Sequence, residues 1–442
     1  MSTNRREFAK AAALTALSYQ RVLGANDRVR LGFIGVGNRG DQVLRAFTEY
    51  ADQQISAVCD IRQDYMDLAA QNARTNPGKY KDFRRIIERN DIDAVVISTP
   101  DHWHAIQTIQ ACDAGKDVYV EKPLSLTVVE GRKMVEAARR NKRVVQVGIH
   151  RRSSPYCKEA AEAVRGGEIG PVTVARCYHL QNEWPLGIGH PANAAPPQGV
   201  DWDMYLGPAP EQPYNRNKAF YNFRWFYNFS GGQITNNGVH FMDLIQWGLG
   251  QDAPLAVTAM GGKLAVRDDR QIPDTLEVLW EFPGAAIVKF SQHNCTAAPV
   301  GREEFYAEFR GTKGTLYIQR GGYKIVPEEN ATLEAPVQSP VDRPAARPYR
   351  SSFAPAMEGR EVKGSEDTRL HARNFLDCVK SRERPNCDVE IGHRSTTATI
   401  LANIAHKTGS HLKWDRQGER FSNSEDANSL LHYTYRAPWK LG

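Results

Sequence analysis

The feature that most constrains this chain is a strand running straight into a glycine loop, RVRLGFIGVGNRG, Arg28 to Gly40. Gly35, Gly37 and Gly40 fit G-x-G-x-x-G, with Asn38 and Arg39 inside the loop. Glycines at these places let the backbone approach a pyrophosphate seated on the N-terminus of the following helix. Alone the motif is weak. Here it ends a strand and opens a helical stretch, DQVLRAFTEY, and Asp60 stands twenty residues past Gly40 at the end of a second strand, QISAVCD. An acid there is placed for the adenosine ribose hydroxyls. Asp60 favours NAD, because a 2′-phosphate would meet its charge; Arg62 close by keeps NADP as the alternative.

The alternation continues. IDAVVISTP, DVYVEKP and RVVQVGI read as strands, each separated from the next by an amphipathic helical stretch. This pattern predicts a doubly wound parallel sheet covered on both faces, a Rossmann unit over residues 26–150. Ligands of such sheets bind beyond the carboxyl ends of the strands. The third strand ends in STPDHWHA and the fourth in VEKPLS. Thr99, Pro100, His102, His104, Glu121 and Lys122 are therefore expected on the cofactor side, His102 being equally readable as a structural residue.

Past Arg151 the style changes. LAVTAMGGKLA, DTLEVLWEF, AAIVKFSQH, EEFYAEFRG and TLYIQR follow one another without long helices, which predicts an α+β second domain, 151–442, on a large open antiparallel sheet. Asn182–Ser230 is a long aromatic stretch, a length that favours a functional loop. Pro327–Pro355 reads as a surface excursion.

Charge excludes one class of partner. The formal net charge is +6, and half of it sits in the first 25 residues, which leaves too little to argue for nucleic acid. That N-terminal segment, MSTNRREFAKAAALTALSYQRVLGA, reads as a twin-arginine export signal over 1–25, implying the twin-arginine machinery as a partner and a periplasmic or otherwise exported protein. Seven scattered cysteines without C-x-x-C argue against a metal site and favour buried thiols, with Cys378–Cys387 near enough in sequence to pair.

GGQITNNGVHFMD, Gly231 to Asp243, carries Asn236, His240 and Asp243 at steps of four and three. On a helix these share one face. The face is either catalytic or the polar start of a helix, since asparagine favours the N-cap.

Taken in order, GVGNRG, STPDHWHA, EKPLS, GIHRRS and GGQITNNGVHFMD resemble the Gfo/Idh/MocA oxidoreductases over nearly the whole chain from Asp27. The resemblance implies an NAD(P)-dependent enzyme acting on a secondary hydroxyl of a sugar, polyol or glycoside by hydride transfer, with a tightly bound cofactor, as a homodimer or homotetramer. Two alternatives stand beside it: a redox-neutral NAD-dependent glycosidase passing through a keto-sugar, and a non-catalytic sugar-binding relative. Lys122 matches the family's E-K-P lysine, suited to stabilising an alkoxide. His240 matches the histidine of D-x-x-x-H, suited as base at its ordinary pKa of about 6.5. Asn236 stands where that motif has aspartate and can offer only hydrogen bonds. Asp243 matches a further acid. Arg151, Arg152 and Tyr178 (with His179 beside it) are the remaining substrate-binding candidates.

Overall fold

The computed structural model describes residues 28–284, 286–298, 304–330 and 354–442. The export-signal segment lies outside them, as does most of the Pro327–Pro355 excursion.

Six parallel strands form the first sheet: β1 (Val29–Ile34), β2 (Gln53–Cys59), β3 (Gly78–Tyr80), β4 (Ala94–Ile97), β5 (Asp117–Val120) and β6 (Val145–Val147), in the order 3-2-1-4-5-6. Both faces are apolar because both are covered. Val95, Ile97, Val118 and Val120 lie in one core cluster, while Leu31, Phe33, Val96 and Tyr119 lie in another. β3 is an addition to the five strands expected from sequence.

The second sheet has ten strands. β7 (Val172–Leu180) pairs parallel with β10 (Ala286–His293) and antiparallel with β11 (Ala307–Gly311). On one side run β12 (Gly314–Gln319), β13 (Gly322–Pro327) and β14 (Arg360–Lys363); on the other run β9 (Thr275–Phe282), β8 (Ala256–Gly262), β15 (Leu412–Asp415) and β16 (Arg420–Phe421). Every pairing except β7–β10 is antiparallel. β9 shows the period of two that such a sheet requires: Leu276, Val278, Trp280 and Phe282 are buried, whereas Leu279 and Glu281 on the other face are exposed. Helices Pro155–Arg165, Gly238–Leu249 and Val389–Thr408 cover the buried face.

The chain returns to its first domain at several points, two of them aromatic. Helix Thr368–Ser381 sets Phe375 edge-on to Phe47 and Tyr119, and Arg373 pairs bidentately with Asp52 at 2.8 Å. Near the C-terminus Trp439 packs at 4.7 Å between ring centroids on Trp103, and Arg436 donates to the carbonyls of Asp203 and Gly207. The aromatic stretch 182–230 folds on its own small core of Tyr205, Leu206, Trp225, Phe226 and Phe229. All seven cysteines are free thiols, so the Cys378–Cys387 pairing does not form.

Candidate active site

The glycine loop is shaped by contacts that admit no side chain. Gly35 has φ +80°, and a Cβ there would lie 2.8 Å from the Ser98 backbone; one on Gly40 would lie 2.1 Å from the Gly35 carbonyl oxygen. This closeness seats helix Asn38–Thr48 against β1 with its N-terminus uncapped by any side chain. Its first-turn amides are thus left for an anion. Asp60 accepts from the backbone amides of Val36 (2.9 Å) and Arg62 (3.0 Å), which tie its carboxylate to the loop. Arg62 is ion-paired with Asp64 and lies over Tyr65, 4.0 Å from the ring centroid, so its charge is already met.

A cavity of about 430 Å³ runs from this loop to the second domain. Its lining includes Gly35, Gly37, Asn38, Arg39, Asp60, Thr99, Pro100, Glu121, Lys122 and Asn236, which brings most of the expected cofactor and catalytic residues together. The aromatic stretch contributes Phe220, Tyr221, Phe223 and Arg224, which sequence reasoning did not single out. Phe220 stands 5.1 Å from the Arg62 guanidinium at the Asp60 end, and Arg224 belongs to the Lys122 end, within electrostatic reach of that ammonium. The stretch therefore lies along the groove.

Glu121 is sealed. Its carboxylate accepts from Arg39 at 2.9 Å and from the Lys122 amide at 3.2 Å, and against the cost of burial these cations hold its pKa below the usual range. Lys122 Nζ donates to the Asn236 carbonyl oxygen at 2.9 Å and to Asn236 Oδ1 at 2.7 Å. Burial, opposed by Glu121 and Asp101, lowers the Lys122 pKa to about 8.

The helix expected across Asn236, His240 and Asp243 is broken. One short helix ends at Asn236 and the next, Gly238–Leu249, starts after Asn237. In a continuous helix the His240 amide would donate to the Asn236 carbonyl. It donates to Asn237 O instead, which frees the Asn236 carbonyl for Lys122. Asn236 is thus a helix-end residue and not an N-cap.

His240 is buried and off the cavity lining, edge-on to His150 at 5.1 Å, with Nδ1 sealed and unpartnered among the described residues. Burial, then Arg151 and Lys122, push its pKa well below 6.5, which corrects the expectation of an ordinary titrating base. Asp243 and Arg152 do not reach the cavity. They pair with each other at 2.8 Å, Asp243 also accepting from Ser395, and so clamp the second-domain helices. Arg151 pairs with Glu366 at 3.2 Å. Tyr178 packs on Phe305, and its hydroxyl accepts from the Phe305 amide. His102 and His104 also lie off the cavity lining. His102 Nε2 bonds the Tyr205 carbonyl, and His104 bridges the carbonyls of Thr99 and Pro123, holding the β4 and β5 loops together.

A parallel 3-2-1-4-5-6 sheet, its glycine loop and acid, and a lysine meeting a second α+β domain across one cleft define a two-domain protein with a dinucleotide-binding unit. Residues 29–149 match the oxidoreductase family with an NAD-binding Rossmann fold, and residues 168–283 with 316–441 match its C-terminal alpha/beta domain. The chain belongs to the Gfo/Idh/MocA oxidoreductase family.

Proteins named glycosyl hydrolase family 109 protein, from Shewanella sp. (strain W3-18-1) and Shewanella baltica (strain OS155 / ATCC BAA-1091), are 39% and 38% identical to it over 125 residues, 26% of this chain. The chain covers 27% of the length of these relatives. Among solved structures, the WlbA dehydrogenase from Bordetella pertussis, in complex with NADH and UDP-GlcNAcA, superposes with TM-score 0.63 at 17% identity, over 88% of this chain and 99% of that one. Levoglucosan dehydrogenase with NADH and levoglucosan gives TM-score 0.63 at 17% identity over 87% and 99%.

Proposed function

We propose that the protein is an NAD-dependent oxidoreductase acting on a secondary hydroxyl of a sugar, polyol or glycoside. The observation that carries this reading is Lys122, poised near neutrality between the two domains and held by both oxygens of Asn236. The uncapped helix start at Asn38, the tight glycine loop and Asp60 fit NAD and would hold its diphosphate and ribose. When bound, the nicotinamide supplies the hydride acceptor.

The chain's own residues handle the proton. An ammonium has three N–H donors. Two of Lys122's are directed to Asn236, which leaves one tetrahedral position. Protonated, that position donates to a substrate oxygen; deprotonated, it offers a lone pair to a hydroxyl proton. A pKa of about 8 makes both forms available near neutral pH. Lys122 thus takes both the base and the alkoxide-stabilising roles.

The same groove favours a second reading, a redox-neutral glycosidase. It is supported by the relatives named glycosyl hydrolase family 109 and by the aromatic stretch along the cavity, which suits a cofactor that stays bound and is recycled in place. We further propose export through the twin-arginine pathway and association of two or four copies through the exposed face of the second sheet, where Met260, Leu279 and Ile287 are open to solvent.

The test is purification followed by absorbance for bound nicotinamide and challenge with sugars and glycosides. Stoichiometric reduction stopping after one turnover supports the oxidoreductase; aglycone release without net NADH supports the glycosidase. Failure to bind NAD(H) refutes both. Secretion that survives Arg5→Lys, Arg6→Lys refutes the export route, and a monomer by light scattering refutes the assembly.

A further inference from the structure

We infer that the substrate carries an anionic oxygen group, a carboxylate or phosphate on the sugar, and that Arg224 binds it. The inference deepens the oxidoreductase reading by naming a substrate class for the same cleft.

Arg224 comes from the aromatic stretch, on the turn Asn222–Trp225, and lines the cavity with Lys122 and Asn236. Its guanidinium is already posed. Nε donates to the Tyr221 carbonyl at 3.2 Å, and the group lies 4.1 Å from the Tyr221 ring centroid. Among the described residues its two terminal nitrogens have no acceptor. Two carboxylates lie within electrostatic reach, Asp101 and Glu183. Both are committed: Asp101 accepts from Ser230 Oγ at 2.5 Å, and Glu183 accepts from Arg270 Nη2 at 2.7 Å.

A guanidinium fork without a counter-ion is what a carboxylate or phosphate would complete. The cofactor's diphosphate has its own seat at the start of helix Asn38–Thr48. Arg224 instead lines the cavity with Asp101, Lys122 and Asn236, the reactive end of the groove.

The experiment titrates NAD-loaded wild type and Arg224→Gln by calorimetry with uronic acids, aldonic acids, sugar phosphates and the parent neutral sugars. NADH affinity is measured separately by fluorescence. The expected result is an acid bound at least about tenfold more tightly than its neutral parent, lost by about tenfold or more in Arg224→Gln with NADH affinity unchanged. The uronate and phosphate arms identify which anion is taken. Equal binding of acids and neutral sugars, no binding of any acid, or a matching loss of NADH affinity in Arg224→Gln overturns the proposal. If the protein takes up no NAD, the oxidoreductase reading fails by itself, and the same titration of cofactor-free protein still decides the role of Arg224.

Discussion

Lys122 Nζ and Asn236 make two hydrogen bonds across the interdomain cleft, one to the backbone carbonyl and one to the side-chain oxygen, at 2.9 and 2.7 Å. The partner is an amide, so it holds the ammonium without adding a negative charge. Burial, opposed by Glu121 and Asp101, then lowers the lysine's pKa to about 8.

Asn236→Asp places a carboxylate where the amide now sits. An opposite charge at this distance raises an amine's pKa by about one to three units. The pH at which Lys122 is half-reactive toward acetic anhydride, followed by mass spectrometry, should move from near 8 to above 9. An unchanged midpoint would remove the amide from the account of Lys122.

Lys122 also links stability to pH. Its folded pKa of about 8 lies below the ordinary 10.5, so between these values the unfolded chain holds more protons and stability rises with pH. The penalty is full below pH 8 and gone above 10.5. Lys122→Met escapes it and should exceed wild type in urea stability at pH 7.5 by up to roughly 3 kcal/mol, at about 1.4 kcal/mol per unit, with the gap closing by pH 10. A gap independent of pH would refute the linkage.

Asp243→Asn tests whether that acid is structural. It leaves Arg152 without its anion in a buried setting, which costs about 3–5 kcal/mol. Denaturation should show that loss while NADH affinity stays at the wild-type value. A stable variant with altered ligand binding would return Asp243 to the substrate.

Phe220→Ala with Phe223→Ala opens the aromatic edge of the groove. Bound NADH, chased with excess NAD and followed by fluorescence, should leave at least about tenfold faster, equivalent to about 1.4 kcal/mol. Equal release rates would mean that the stretch 182–230 has no part in retention.

The first domain was legible because its order is local. Strand, glycine loop, helix and acid follow one another at fixed spacing, and the apolar runs of β4 and β5 admit little but a buried parallel sheet. β3 escaped because three residues between turns carry no period. Sequence spacing joined Asn236, His240 and Asp243 into one face, yet the chain breaks at Asn237; the Asn-Gly step there was the available signal. Asp243 and Arg152 were read as ligands because two charges 91 positions apart give no sign that they face each other. His240 kept its ordinary pKa on paper because its depression comes from burial and from cations brought in by folding. Arg224 was a lone cation in an aromatic run, and only the fold shows that the run borders the cofactor groove.

The return of Thr368–Ser381 and Trp439 to the first domain reaches into biosynthesis. Phe47 and Tyr119 gain Phe375, and Trp103 gains Trp439, only after the ribosome has added more than two hundred further residues. The nucleotide-binding layer is begun early and completed late, so a nascent chain stalled in the second domain exposes an unfinished first one. Its rings at Phe47, Tyr119 and Trp103 then lack the late-made partners that cover them in the finished chain.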